Sequence, residues 1–371
     1  MTKTEPFKAH YLPVEAWPVP CQIAWHGAFA ETTLFDDQKP ARGWREATIH
    51  KTRTGFGAFI SWRIFEGTLE QEADVIELVT RDAASRYLEA LKSSPYAPLT
   101  ILCRIQELYD AARVMAPSHD WAWLRHATKR LRVKAHPVRN KRIRLQPAQA
   151  LEQLAYQLMY EAQTSKELSF YQRALRFRDG LMIGLLIRRP LRLKNFASLT
   201  LAQNLILHHK SATLTFLPNE MKGKRPFDVK FPKAYFEALQ TYLTLYRPYL
   251  LTLGHADDHV TQALNQSGQQ HALWISNEGK QMADQSIRNA IKRRTLIAFG
   301  LDMTPHLFRD ASVTTLVRHA PSSARLTRAI LGHATIDVTN KHYNQSRMIE
   351  TSRRHTSLIE QLTTNALKET P

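Results

Sequence analysis

Thr304-Pro305-His306-Leu307-Phe308-Arg309-Asp310, followed by Ile330-Leu331-Gly332-His333-Ala334-Thr335-Ile336-Asp337-Val338-Thr339-Asn340-Lys341-His342-Tyr343, holds the most telling pattern in this 371-residue chain. The first stretch reads as a helix start: Thr304 supplies an N-cap oxygen, and Pro305 suits the first helical position, where its missing N–H is not needed. His306 and Arg309, three apart, then share one helix face. A second helix starting at Ser322 or Ser323 stops at Gly332, which tolerates the left-handed C′ conformation, and so places His333 just past its end. Thr335 is a further N-cap. Tyr343 follows His333 by ten residues and is the only tyrosine after Tyr249.

Working outward, apolar residues upstream recur at helical spacing. Residues 148–163 and 171–187 read as helices, and the second carries Leu175, Phe177, Leu181, Ile183, Leu185 and Leu186 nearly all round, as a buried helix does. Between about 205 and 231 the period changes to two. Leu205–His209, Ala212–Leu217 and Phe227–Phe231 predict a three-stranded sheet with turns at Lys210-Ser211 and Asn219–Arg225. Helices return from Ala234 onward. Nearer the N-terminus, Phe56, Phe59, Ile60 and Ile64, then Tyr87, Leu88 and Leu91, then Ile101, Ile105, Leu108, Tyr109 and Val114, predict a bundle of about four helices. Its basic face includes Lys51, Arg53, Arg125, Lys129, Arg130 and Arg132.

The expected organisation is an N-terminal extension over 1–42, read as extended because of its prolines, with one short helix near Ala24–Ala30. A helical domain follows over 43–132, then a cationic linker over 133–146, a second domain over 147–360 and a tail over 361–371. After Tyr343, the residues Met348, Ile349, Leu358, Ile359 and Leu362 give one more helix a short apolar face.

Composition narrows the function. Lys and Arg number 51 against 33 Asp and Glu, a net charge of +18, which suits a polyanionic partner, nucleic acid first of all. No apolar run reaches the length of a membrane span. The N-terminus enters Pro6 and Phe7 without the apolar segment of an export signal. Cys21 and Cys103 form no CxxC pair and lack His at ligand spacing, so a disulfide framework and a zinc site are not expected; a reducing cytoplasm is.

The order His-x-x-Arg, Leu-Gly-His, Tyr in a strongly basic chain resembles the tyrosine recombinase and phage integrase family, and the likeness extends over most of the chain. It implies a mainly α fold with a small antiparallel sheet: a helical core-binding domain and a catalytic domain that close as a two-domain C-clamp on duplex DNA. The catalytic set it implies is Tyr343, Arg192, Lys222, His306, Arg309 and His333. Arg192 stands in Arg189-Pro190-Leu191-Arg192-Leu193-Lys194-Asn195, where the family has a Gly-Leu-Arg motif and an acid three residues later. Pro190 and Asn195 depart from both, and Arg188 and Arg189 are the alternative arginines. For the lysine, Asn219-Glu220-Met221-Lys222-Gly223-Lys224-Arg225 offers Lys222, preferred because it precedes Gly223, or Lys224.

The chemistry of such a set is coherent. A tyrosine hydroxyl of pKa near 10 is a poor nucleophile at neutral pH unless the phosphodiester is made more electrophilic. Two arginine forks supply that by binding phosphate oxygens as negative charge grows on them. In the role the resemblance implies, His333 donates to the same oxygens, His306 handles protons near the nucleophile, and the lysine protonates the departing 5′-hydroxyl. A 3′-phosphotyrosyl link conserves the bond energy, so neither ATP nor a metal cofactor is expected. The resemblance further implies a tetramer on two double-stranded DNA sites, with an accessory DNA-bending or directionality factor, serving a mobile element on a bacterial nucleoid. The competing readings are a type IB topoisomerase, a catalytically inactive DNA-binding relative, and a basic RNA-binding protein.

Overall fold

The computed structural model describes residues 7–30, 40–138, 140–221, 226–254 and 271–319, without the side chains of 141, 142 and 316–319. Lys222 and Lys224, and everything from 320 onward with His333, Tyr343 and the expected C-terminal helix, lie outside the described residues. The chain divides into two compact units, Met1–Asn140 and Lys141–Pro371, each with its own apolar core.

In the first unit, α1 (Val19–Gly27), α2 (Glu46–Phe65), the single turn α3 (Val75–Leu78), α4 (Arg81–Ser93), α5 (Pro98–Met115) and α6 (Ala122–Lys134) surround an aromatic centre. Trp17 meets Phe56 edge-on at 4.8 Å between centroids, and Phe59 meets Tyr87 at 5.3 Å, the geometry that ring quadrupoles favour. Asp74 and Glu77 form a capping box at α3, and Thr80 Oγ1 accepts from the Ala83 N–H at the start of α4. Along α6, Leu124 and Thr128 turn inward while Arg125, Lys129, Arg130 and Arg132 are exposed, as are Lys51 and Arg53 on α2.

The N-terminal stretch differs from its expected role as an extension. Phe7, Val14, Trp17, Cys21 and Trp25 are buried in the first core, and the helix there is Val19–Gly27, earlier than expected. Prolines at helix N-termini start helices as readily as they interrupt them, and Pro18 and Pro20 stand at the start of this one. Gly57 makes the packing possible, since a Cβ there would lie 2.3 Å from the Leu12 carbonyl oxygen.

The second unit begins with a 3-10 turn (Lys141–Arg144) and the antiparallel pair α7 (Ala148–Thr164) and α8 (Phe170–Arg188). Ser169 and Gln172 form a capping box at the start of α8, which is buried almost throughout from Ala174 to Ile187. The short α9 (Leu193–Ala197) leads to a sheet ordered β1-β2-β3, of β1 (Leu205–His208), β2 (Ser211–Phe216) and β3 (Phe227–Lys230), antiparallel throughout. His208 pairs with Ser211, so the tight turn is His209-Lys210, one residue before the expected position. Ala212, Leu214 and Phe216 alternate into the core, as the pleat requires.

The helical run α10 (Phe236–Thr241), a π turn (Tyr242–Tyr246) and α11 (Arg247–Thr252) comes next. Residues 271–282, expected to be helical, are instead non-helical, with bridges Thr200↔Ala272 and Ile275↔Gln281 and a turn between Ser276 and Lys280. Buried arginines explain the difference: Arg178 Nη1 donates to the Ile275 carbonyl at 2.7 Å, and Arg247 Nη2 donates to the Ala272 carbonyl at 2.7 Å. Trp274 Nε1 donates to the Phe196 carbonyl at 3.0 Å, which ties this segment to α9. Two further helices are described, α12 (Asp284–Phe299) and α13 (Pro305–His319). Among the described residues no helix is long and apolar enough to cross a membrane.

Gly184 on α8 lies under Tyr235, whose ring carbons stand 2.1 and 2.3 Å from where a Cβ would sit. Gly184→Ala therefore overpacks the second core and lowers unfolding stability by roughly 1 to 3 kcal/mol. Gly43→Ala, in open space, serves as the control. Thermal denaturation of both variants checks this, with a lower Tm expected for the first alone.

Candidate active site

The site is built on α13 and on the turn that follows α8. Gly300 ends α12 in the left-handed conformation (φ 68°), and its N–H donates to the Leu296 carbonyl at 2.9 Å, the conformation only glycine adopts without cost. The chain reverses there, and three contacts fix the reversal. The Met303 N–H donates to Thr295 Oγ1 at 2.8 Å. Lys292 Nζ lies 2.8 Å from Asp302 Oδ2. Arg144, at the opening of the second unit, pairs with the Asp302 carboxylate and donates from Nε to its carbonyl at 2.8 Å. The hydrogen bond from Lys292, then the Arg144 charge, holds the Asp302 carboxyl below its usual pKa.

Helix α13 therefore starts at Pro305 in a set position. Leu307, Phe308 and Ala311 face the core, His306 is exposed, and Arg309 is only 5% exposed. Arg309 Nη1 donates to the Pro190 carbonyl, and one turn further Ser312 Oγ donates to the Ile187 carbonyl at 3.0 Å. Both acceptors belong to the end of α8 and its following turn, so α13 is fastened along the segment that carries the candidate arginines.

Those candidates separate cleanly. Arg188 is engaged by Glu152 on α7, with Nε donating at 2.7 Å. Arg189 donates from Nε to the Lys230 carbonyl of β3 at 3.1 Å. Arg192, half-buried at the N-terminus of α9, is the one whose charge acts on Arg309. Burial, and then the neighbouring Arg192 charge, lowers the Arg309 pKa to about 10 against a smaller opposing pull from Asp310; burial likewise lowers that of Arg192. Two partly desolvated guanidinium groups side by side repel each other, and an anion bound between them relieves both costs.

Of the six residues expected at the site, the structure ties Arg309 to the carbonyl of Pro190, two residues before Arg192, and puts His306 on the first turn of the Arg309 helix. Lys222, His333 and Tyr343 are not among the described residues. Arg144, Lys292 and Asp302, which set the entry to α13, escaped sequence reasoning, because the Arg144 to Asp302 contact spans 158 residues. The departures at Pro190 and Asn195 are both structurally engaged. Pro190 supplies the carbonyl that Arg309 grips. Asn195 is buried, and its Nδ2 donates to the Glu220 carbonyl at 3.1 Å and lies 3.5 Å from Met221 Sδ.

Residues 149–350 match the model of the phage integrase family, and since they make up more than half of the chain, the protein belongs to that family of tyrosine-type site-specific recombinases. The matched stretch encloses all six expected site positions. No curated protein sequence is significantly similar to it. The fold is similar to that of the XerH site-specific recombinase bound to palindromic difH substrate in a post-cleavage complex, at 15% identity and a TM-score of 0.53, over 93% of this chain and 99% of that one. A XerA recombinase structure aligns over 85% of this chain and 94% of its own at 17% identity, with a TM-score of 0.37.

Asp302→Asn tests the anchoring of the site. A carboxylate whose pKa is depressed in the folded state stabilises it above the unfolded value near 3.9, and that contribution is lost as pH falls through the folded value. The variant is thus expected to be less stable than the parent at neutral pH, with the gap closing below about pH 4. Urea unfolding at a series of pH values reads the gap; a constant gap would contradict the ion-pair account.

Proposed function

We propose that the chain cuts and rejoins DNA at specific sites through a covalent 3′-phosphotyrosyl intermediate on Tyr343. The observation that carries the reading is that the helix bearing His306 and Arg309 is fastened through Arg309 to the Pro190 carbonyl, two residues before Arg192, in a family member with +18 net charge. Arg192 and Arg309 grip non-bridging oxygens of the scissile phosphate and stabilise the charge that grows on them. The Tyr343 hydroxyl oxygen forms the bond to phosphorus as its proton passes toward His306. The bond from phosphorus to the 5′-oxygen breaks, its electron pair stays on that oxygen, and Lys222 supplies the proton that makes it a hydroxyl. His333 donates a hydrogen bond to a non-bridging oxygen. Attack by a 5′-hydroxyl of the partner strand reverses these steps and reseals the DNA.

The exposed cations of α6 suit phosphate contact, which gives affinity without sequence choice. Both units contact duplex DNA in this reading, and a tetramer on two sites performs the exchange. Recombination of a mobile element in a bacterial cytoplasm fits this activity, with an accessory factor setting direction. Strand passage by a monomer, as in a type IB topoisomerase, is the alternative; a two-site recombination assay beside a supercoil relaxation assay separates the two.

Tyr343→Phe is expected to bind DNA as the parent does and to form no covalent adduct on a nicked suicide substrate, read on a denaturing gel. An adduct that persists would remove Tyr343 from the role, and a parent chain that forms none would point to an inactive DNA-binding relative. For the arginines, a change to lysine keeps charge but loses the two-pronged geometry. Arg309→Lys and Arg192→Lys should each slow cleavage by about 10²-fold or more with little change in DNA affinity. Arg189→Lys should cost far less, and the opposite ranking of Arg189 and Arg192 in single-turnover cleavage would move the assignment.

A further inference from the structure

Helices α4, α5 and α6 of the first unit border an open hollow of about 940 Å³. Its floor is apolar: Ala84 and Leu88 come from α4, Ile101 and Ile105 from α5, and Ala127 and Leu131 from α6. Its two banks are basic. Arg81 and Lys92 stand on α4, His126, Arg130 and Lys134 stand on α6, and all five are exposed. Among the described residues that line the hollow, Asp120 is the one acid, and its Oδ1 already accepts the Ala122 N–H at 2.8 Å. Arg81 lies over the Trp123 ring, 5.7 Å from its centroid. Lys92 pairs with Glu89 at 2.8 Å, an exposed contact of little strength.

Helix α6 divides its cations between two faces. Arg125, Lys129 and Arg132 follow one another at helical spacing on a face that takes no part in the hollow. His126, Arg130 and Lys134, four apart, form a second row along its edge, roughly 12 Å long at the α-helical rise. The first row suits a DNA backbone, because a phosphate is held by cations, keeps much of its water and draws nothing from an apolar floor. The second row stands over apolar side chains, and a ligand that uses both carries an apolar stripe flanked by acids. We infer that the hollow is a docking groove for an acidic amphipathic helix of a partner protein. Apolar side chains at i, i+4 and i+7 of that helix enter between α4 and α6, while Asp or Glu on its flanks meet Arg81 and Lys92 on one bank and Arg130 and Lys134 on the other. A net charge of +18 on this chain points to a foreign acidic partner rather than to a second copy. The inference goes beyond the strand-exchange chemistry and does not rest on it.

The test uses the full-length protein and three labelled probes read by fluorescence anisotropy. One is a synthetic helix with Leu at i, i+4 and i+7 and Glu on both flanks; the second has the same composition in scrambled order, which keeps the charge and loses the apolar stripe; the third is a random-sequence DNA duplex. The patterned peptide should bind on the order of 10-fold or more tightly than the scrambled one. Arg81→Glu with Lys92→Glu, both on exposed residues of α4, should weaken the patterned peptide by about 10-fold or more and leave duplex affinity as it was. Arg125→Glu with Lys129→Glu should do the reverse. Ala127→Trp, which fills the floor and leaves the charge alone, should also lose the peptide, with Tm checking that each variant is folded. Equal binding of the two peptides overturns the inference, since charge alone would then explain it. So does a loss of duplex affinity in the α4 pair as large as in the α6 pair, which would make the hollow part of the DNA surface. Self-association of the chain that the α4 pair abolishes would overturn it too, by making the hollow an interface between copies.

Discussion

The hydrogen bond from Arg309 to the Pro190 carbonyl is the contact on which the arrangement of the site depends. It joins residues 119 positions apart, and it sets α13 against the turn where α8 gives way to α9. It ties the helix that carries Arg309 directly to the turn that leads to Arg192. Ser312 repeats the fastening one helical turn on, so the axis of α13 is held at two points. The entry to the helix is held at a third, where Arg144 and Lys292 share Asp302.

That precision needs a stiff support behind it, and buried charge supplies it. Asp179 on α8 is fully buried, and it accepts from Arg178 at 2.8 Å and from Arg294 of α12 at 2.8 Å. Arg178 also reaches the Ile275 carbonyl. One carboxylate thereby connects α8, α12 and the segment 271–282. A buried ion pair adds little net stability over an apolar replacement, yet breaking one is costly, because the remaining charge has lost its water and its partner. Such a network gives the second unit one permitted arrangement of these elements rather than several near-equal ones.

The contrast between what was legible in the sequence and what was not follows the range of the interactions. Helices expected at 148–163 and 171–187 are found at Ala148–Thr164 and Phe170–Arg188, since apolar period and end signals are local; the Ser169 and Gln172 capping box accounts for the slightly early start of the second. The strands were readable from alternation for the same reason. Residues 271–282 were not, because their non-helical course is dictated by Arg178 and Arg247 from other elements. The N-terminal prolines were taken as breaks when Trp17 and Trp25 in fact enter the core around them. At the candidate site, the three-residue spacing of His306 and Arg309 showed in the sequence, while the engagement of Arg188 by Glu152 and of Arg189 by the Lys230 carbonyl, both distant in the chain, did not.

The partners of the arginines divide them by purpose. Arg178, Arg188, Arg176 and Arg144 face carboxylates of Asp179, Glu152, Glu161 and Asp302; their charge is neutralised locally and their work is mechanical. Arg309 donates to the Pro190 backbone carbonyl, and the Arg192 charge outweighs the opposing pull of Asp310 on it. Burial and the nearby Arg192 charge make this cation costly to hold, as its lowered pKa of about 10 reflects. A bound anion lowers such a cost, which is why a buried guanidinium beside a second one is the feature of this fold that the proposed phosphate chemistry leans on.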